Sequence, residues 1–209
     1  MVQRQLRPRG IHDERVLEAM QHVPRHEFVP LDLIDYAYDD RPLPLSDGQT
    51  ISQPYIVALT LEAARIVAAD IVLDVGTGSG YAAAVAAELA SRVVSIERQP
   101  RLAASARDRL SRLGYTVTVI DGDGSVGWPD GAPYDAIVAA ATGPSVPVAW
   151  VEQLAPAGRI VMPIGSPRGA QRLAAFTLTA AGTLREKNLG AVSFVPLVGA
   201  QAWPEQGDA

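Results

Sequence analysis

One stretch constrains the fold more than any other: Ile71-Val72-Leu73-Asp74-Val75-Gly76-Thr77-Gly78-Ser79-Gly80-Tyr81. An apolar run ends in a glycine-rich loop, and an alanine-rich segment follows at once. Strand, loop and helix in that order make an anion- or nucleotide-binding turn at the carboxyl edge of a parallel sheet. The pattern then repeats. Strand Ile71–Val75 leads into a helix from Tyr81 to about Leu89, and strand Arg92–Ile96 into a helix Pro100–Leu113. Strands Thr116–Ile120 and Tyr134–Ala140 are each followed by a loop, and a helix near Val148–Leu154 precedes strand Arg159–Pro163. Two further β-rich runs, Arg172–Leu178 and Val192–Val198, suit a terminal hairpin. Alternating strands and helices predict an α/β fold with a doubly wound, mainly parallel, Rossmann-like sheet.

Upstream, Asp13 is an N-cap candidate for a short helix carrying Val16, Leu17 and Met20 on one face and ending near Pro24. Residues 25–50 are rich in Pro, Asp and Tyr without a period, a long irregular or hairpin-like segment of the kind that often carries function. Ser52-Gln53-Pro54 reads as a helix start, followed by an amphipathic helix from Tyr55 to Val67. The chain of 209 residues fits one domain: an N-terminal substrate or lid extension (1–69), a cofactor-binding core (70–165), C-terminal strands (166–203) and a frayed tail (204–209).

Composition excludes several classes. There is no cysteine, hence no disulfide, thiolate zinc site or cysteine nucleophile. The longest uncharged stretch, from Ala136, is broken by Gly143, Pro144 and Pro147, so no membrane span is expected. The N-terminus does not read as a signal peptide, and a cytoplasmic address is the default. Net charge is −5, Lys187 is the sole lysine, and no basic block offers a nucleic-acid footprint. His22 and His26 are the one histidine pair at helical spacing, and Pro24 interrupts a helix there, so no metal site is expected.

The loop is Gly-x-Gly-x-Gly, whereas the dinucleotide fingerprint wants Gly-x-Gly-x-x-Gly; Tyr81 stands where the third glycine belongs. Close helix approach over a pyrophosphate is therefore disfavoured, and a nicotinamide oxidoreductase with it. The pattern suits a smaller group over the loop, such as the methionine portion of S-adenosylmethionine. Asp74 is placed to accept from a cationic amine or from loop N–H groups. Glu97 ends the next strand about 20 residues on, where a ribose hydroxyl pair expects a carboxylate; alternatively it is a surface acid paired with its neighbour Arg98. Asp121-Gly122-Asp123-Gly124 follows the third strand. There Asp123 is a candidate for the adenine amine and Gly124 leaves room for the ring, although Asp-Gly loops are also ordinary turns.

Several stretches in addition to these make the chain resemble the protein-L-isoaspartate O-methyltransferases. They are Arg9-Gly10-Ile11, Val23-Pro24-Arg25-His26, Ala37-Tyr38-Asp39, Pro42-Leu43-Pro44 and Gly48 through Pro54. They continue with Gly76 to Tyr81, Ser95-Ile96-Glu97-Arg98, Gly122-Asp123-Gly124, Gly127-Trp128-Pro129, Pro163-Ile164-Gly165 and Phe194-Val195-Pro196-Leu197. They follow the family's order over nearly the whole length, and Thr50-Ile51-Ser52-Gln53-Pro54 is the most specific. The resemblance implies a class I methyltransferase that uses S-adenosyl-L-methionine, leaving S-adenosyl-L-homocysteine. Its acceptor would be the α-carboxylate of L-isoaspartyl residues in damaged proteins or peptides, with repair through a succinimide. It carries Ser52 over as catalytic and places Thr50, Ile51, Ser52, Val192, Phe194 and Val195 along the substrate. Around the cofactor it places Ile51, Gln53, Pro54, Tyr55, Asp74, Gly76, Thr77, Gly78, Ser79, Glu97, Arg98, Asp123 and Gly124. Nucleic acid and membrane are not implied as partners, and a monomer is.

The chemistry agrees. A carboxylate is ionised at neutral pH and needs no general base. Orienting acceptor, methyl carbon and sulfur in line supplies about 7–11 kcal/mol at best. A Ser52 hydroxyl can orient one carboxylate oxygen while the other attacks; alternatively Ser52 is an N-cap worth about 1 kcal/mol. Trp128 and Tyr38 are either groove walls or core. Phe194-Val195-Pro196 is either a plain edge or one to which an extended peptide adds. Departures from the family pattern fall at Asp74, at Ala139 and Ala140, and at Ser193, where a basic residue is common. Two alternatives stay open: the same chemistry dedicated to one partner peptide, and a silent cofactor-binding homologue.

Overall fold

The computed structural model describes residues 1–46 and 48–205. Its sheet has seven strands in the order β5-β4-β3-β6-β7-β8-β9. These are β3 (Ile71–Val75), β4 (Arg92–Glu97), β5 (Val117–Asp121), β6 (Tyr134–Ala139), β7 (Leu154–Gly165), β8 (Gln171–Leu178) and β9 (Leu184–Val192). The first five are parallel; β8 and β9 run antiparallel at one end. From β3 the chain winds outward through β4 and β5, then returns to the other side of β3 as β6. Strand order therefore reverses beside β3, and a crevice opens there beyond the carboxyl ends of the strands.

Side-chain alternation sorts the core onto two faces. Val72, Val93, Ala136, Val138 and Val161 pack with the N-terminal helices, while Leu73, Val75, Val94, Ile96, Ile137, Ile160 and Met162 pack around the fully buried Trp150. Asp74 shares the face of Val72, an acid inside an apolar layer, in register with Ser95.

The helices begin as their sequences dictate. In α1 (Glu14–His22) the Asp13 carboxylate accepts from Arg15 N–H. Pro54 opens α2 (Pro54–Ala64), which stops three residues before the predicted Val67 because Arg65 turns left-handed at φ 50°. Gly80, at φ 89°, caps α3 (Tyr81–Ala87), and α4 (Pro100–Arg112) and α5 (Val148–Glu152) follow. The irregular segment contains 3₁₀ turns at Arg25–Phe28 and Leu31–Tyr36 and a two-stranded ribbon of β1 (Leu43–Pro44) and β2 (Thr50–Ile51). The buried Val2 and Leu6, on an opening helical turn, were not anticipated.

The predicted hairpin is corrected in part. Its second strand is Leu184–Val192, not Val192–Val198. Between the half-buried Leu184 and Leu189, Arg-Glu-Lys-Asn is exposed on the sheet edge and so carries no apolar period, while the apolar run after β9 contains Pro196, which has no N–H for a ladder. Of the expected frayed tail, 206–209 lie outside the described residues, and Glu205 bonds Arg98 at 2.7 Å. Among the described residues no helix is long and apolar enough to cross a membrane.

Candidate active site

A cavity of about 780 Å³ lies at the strand-order reversal. The ends of β3 and β4 (Val75, Gly76, Gly78, Ile96, Glu97, Arg98) and Gly124 line one side. Pro42, Gln49, Thr50, Ser52 and Gln53 line the second, and Ala191 through Val198 the third. A narrow crevice leads from it between Ser52, Ile56, Ala140 and Phe194 down to Asp74.

The glycine loop is held from below. Gly76 and Thr77 N–H both donate to the Ile96 carbonyl, at 2.8 and 3.2 Å. Thr77 Oγ1 meets Ser95 Oγ at 2.5 Å, and Ser95 Oγ donates to Asp74 Oδ2 at 2.6 Å. Asp74 is 1% exposed, and burial pushes its carboxyl up to about 6, opposed by the Ser95 hydroxyl and reinforced by the Glu97 charge. Thr77 and Ser79 are buried within the loop rather than on the cavity wall: Ser79 Oγ accepts from Tyr81 N–H at 3.4 Å, and its carbonyl from Arg109 at 2.9 Å.

Glu97 reaches the cavity with both oxygens already oriented. Oε2 accepts from Gly78 N–H at 2.9 Å and Oε1 from Gln99 N–H at 3.0 Å. Each oxygen keeps lone-pair capacity for a hydroxyl. Arg98 pairs with Glu205 rather than with Glu97.

The third loop differs from expectation. Asp123 is not on the cavity wall. Its Oδ1 accepts from Ser125 N–H at 2.8 Å and its Oδ2 from Ala200 N–H at 2.7 Å, so the carboxylate fastens the C-terminal segment to this loop. Gly124 does line the cavity, yet the room its missing side chain leaves is filled by Val75: a Cβ would sit 2.5 Å from Val75 Cγ1. Trp150 Nε1 donates to the Gly124 carbonyl at 2.9 Å and fixes its height.

On the opposite wall Ser52 opens into both cavity and crevice. Its hydroxyl bonds no described residue, while its carbonyl accepts from Arg25 Nη2 at 2.8 Å. The N-cap of α2 is Gln53, not Ser52, and the capping acceptor is remote: Asp40 Oδ1 takes Tyr55 N–H at 3.2 Å, and the Asp40 carbonyl takes Gln53 Nε2 at 2.8 Å. Ile51 and Pro54 are buried behind this edge, and the Tyr55 ring lies beneath Arg9 at 3.6 Å.

Val192, Phe194 and Val195 line the third wall, but the backbone of this stretch is largely engaged. Gln171 takes both main-chain groups of Phe194, donating to its carbonyl at 3.1 Å and accepting its N–H at 2.6 Å. Thr142 takes the Val195 carbonyl and the Leu197 N–H, both at 2.8 Å. An added peptide strand thus meets few open groups here. Ser193, Ala140, Ala141 and Ile56 also line the cavity, and of these Ala140 and Ser193 had drawn notice in sequence; Ala139 lines the crevice. Trp128 and Tyr38 lie off the wall; Tyr38 bonds His26 at 2.7 Å, and His22 sits near Glu88 instead.

Residues 1–202 match the family model for protein-L-isoaspartate(D-aspartate) O-methyltransferase (PCMT). A relative from Marinobacter nauticus, protein-L-isoaspartate O-methyltransferase 2, is 54% identical over 98% of this chain and 94% of its own. One from Methanoculleus marisnigri, also named protein-L-isoaspartate O-methyltransferase, is 52% identical over 97% and 92%. A solved protein-L-isoaspartate O-methyltransferase superposes with TM-score 0.83 at 29% identity, covering 94% of this chain and 64% of that longer one. A Plasmodium falciparum structure described as such an enzyme in complex with S-adenosyl-L-homocysteine superposes with TM-score 0.80 at 26% identity, over 94% and 96%. The chain belongs to the protein-L-isoaspartate(D-aspartate) O-methyltransferase family.

Proposed function

We propose that this chain methylates the α-carboxylate of L-isoaspartyl residues in damaged proteins and peptides, using S-adenosyl-L-methionine and initiating repair through a succinimide. The observation that carries the reading is one cavity shared by the glycine loop, Glu97 and a Ser52 hydroxyl that bonds none of the described residues. Its volume suits a nucleoside-sized ligand and part of an acceptor.

The residues fit the donor. Glu97 offers oriented oxygens to a ribose pair, and Gly76 and Gly78 present backbone without side chains. Asp74 in its ionised form complements a cation. When bound, S-adenosyl-L-methionine supplies a methyl group on a sulfonium centre. Thr77, Ser79 and Arg98 support the loop and rim from behind, Asp123 and Gly124 shape the third loop, and Ile51, Gln53, Pro54 and Tyr55 support the serine-bearing edge. On the acceptor side the substrate arrives already anionic, so Ser52 acts as a hydrogen-bond donor that orients one oxygen and not as a base. Thr50, Val192, Phe194 and Val195 wall the channel and exclude water. Attraction between the two charges is lost as the ester forms, so Ser52 must orient without over-stabilising the acceptor anion. The reading takes the enzyme as a monomer acting in the cytoplasm without nucleic-acid or membrane partners.

Methyl transfer from labelled donor to matched peptides containing isoaspartate, aspartate or asparagine tests this. Label is expected in the first alone; equal labelling of the second would discard the acceptor assignment.

A further inference from the structure

The glycine-loop edge and the Ser52 edge are joined by a residue that lines neither the cavity nor the crevice. Arg25 lies in the 3₁₀ turn before the ribbon and is fully buried, with no carboxylate in a salt bridge to it among the described residues. Its Nε donates to the Ala37 carbonyl at 2.8 Å and its Nη2 to the Ser52 carbonyl at 2.8 Å. The guanidinium carbon Cζ lies over the ring of Tyr81, 4.6 Å from its centroid. Tyr81 is the first residue of α3, next to the last glycine of the loop, and is itself buried against Phe28 with ring centroids 5.5 Å apart.

This is a costly way to fill space. Burial lowers the guanidinium's proton affinity, and Nη1 is sealed from solvent without a hydrogen-bond partner among the described residues. Apolar residues of similar volume commonly match or exceed the stability of such buried charges. What an apolar residue cannot do is fix a carbonyl in direction. Arg25 offers a planar fork with donors at set angles, and it sets two of them on two loops while its face is set on a third element. The Asp40 contacts to Gln53 and Tyr55 hold the following residues but not Ser52 itself.

We propose that Arg25 is a positioning residue for methyl transfer: by gripping the Ser52 carbonyl while stacked on Tyr81, it sets the Ser52 hydroxyl relative to the glycine loop. The inference rests on the reading of Ser52 as the acceptor contact. Displacement by about 1 Å can cost on the order of 100-fold in rate. A lysine keeps the charge but has neither the plane nor the fork.

The test compares Arg25→Lys and the neutral Arg25→Gln, each alone and combined with Ser52→Ala. The readouts are kcat and KM for an isoaspartyl peptide, the Kd for S-adenosyl-L-homocysteine, and Tm. Expected are a fall in kcat of roughly 10- to 100-fold in at least one folded single variant, a Kd within about 3-fold, and little further loss of kcat in the Ser52→Ala background. Multiplicative losses in the double variants would overturn the proposal, as would an unchanged kcat, or a kcat loss that merely follows Kd or Tm. So would failure of both variants to fold, which would assign Arg25 to stability alone. If Ser52→Ala by itself leaves kcat unchanged, the reading of Ser52 has failed, and the positioning role falls with it. The two failures are thus told apart.

Discussion

The two sides of the cavity are held by different means. The cofactor side is local: Glu97 bonds Gly78 and Gln99, Ser95 bonds Asp74 and Thr77, and all sit on adjacent strand ends. The acceptor side is remote. Ser52 is held from Arg25, Gln53 from Asp40, and Phe194 from Gln171, each across a different part of the chain. A ligand gripped mainly by neighbouring backbone can keep its site while its partner's site drifts. Donor binding and acceptor alignment should therefore be separable by mutation, and four experiments can break or sharpen that contrast.

The largest effect is expected from Ser52→Ala: kcat falls roughly 100-fold while the cofactor Kd stays within about 2-fold, read by steady-state methyl transfer and titration calorimetry. A matching loss of affinity would show the two sides to be one unit. Next, Glu97→Ala should weaken cofactor binding by roughly 10- to 100-fold, since it removes charge-assisted hydrogen bonding worth about 1.5–3 kcal/mol; the peptide KM should hold.

Asp74→Asn separates stability from function. With its pKa raised to about 6 in the fold, Asp74 favours the folded state when protonated, and that contribution is lost as pH rises from its ordinary value near 4 through 6. At pH 7.5 the unliganded variant should be more stable than the parent by on the order of 2 kcal/mol, a gain in Tm of roughly 4–8 °C, shrinking toward zero at pH 4. Its affinity for the cationic donor should fall more than its affinity for neutral S-adenosyl-L-homocysteine. A pH-independent Tm difference would place the charge penalty elsewhere. The smallest effect is expected from Gln171→Leu, which strands the Phe194 N–H and C=O: a several-fold rise in peptide KM and a loss of about 1–3 kcal/mol in stability, with cofactor Kd unchanged.

The same contrast explains what sequence reading reached. Asp74, the glycines and Glu97 are spaced by strand and loop lengths, so periodicity places them together. Gly124 was found for the wrong reason: its space belongs to Val75, a contact made across the sheet end. Asp123 was read from its acid-glycine loop alone; that its carboxylate also holds Ala200, 77 residues away, is not visible in sequence. Ser52 was legible through its neighbours in the Thr-Ile-Ser-Gln-Pro stretch, but Arg25 and Gln171 left no periodic or compositional trace. The exposed β9 was missed because an edge strand facing water on its charged positions needs no apolar alternation.

That bond between Asp123 and Ala200 has a consequence for the chain's far end. Gln201 N–H donates to Ser125 Oγ at 3.0 Å, and a side chain at Gly199 would collide with Asp123. The closing stretch is thus a buckle fastened onto the loop that follows β5. Trimming the polypeptide after Val198 would unclasp it, leaving the Asp123 carboxylate and the Ser125 hydroxyl without the two amide donors that now cover them.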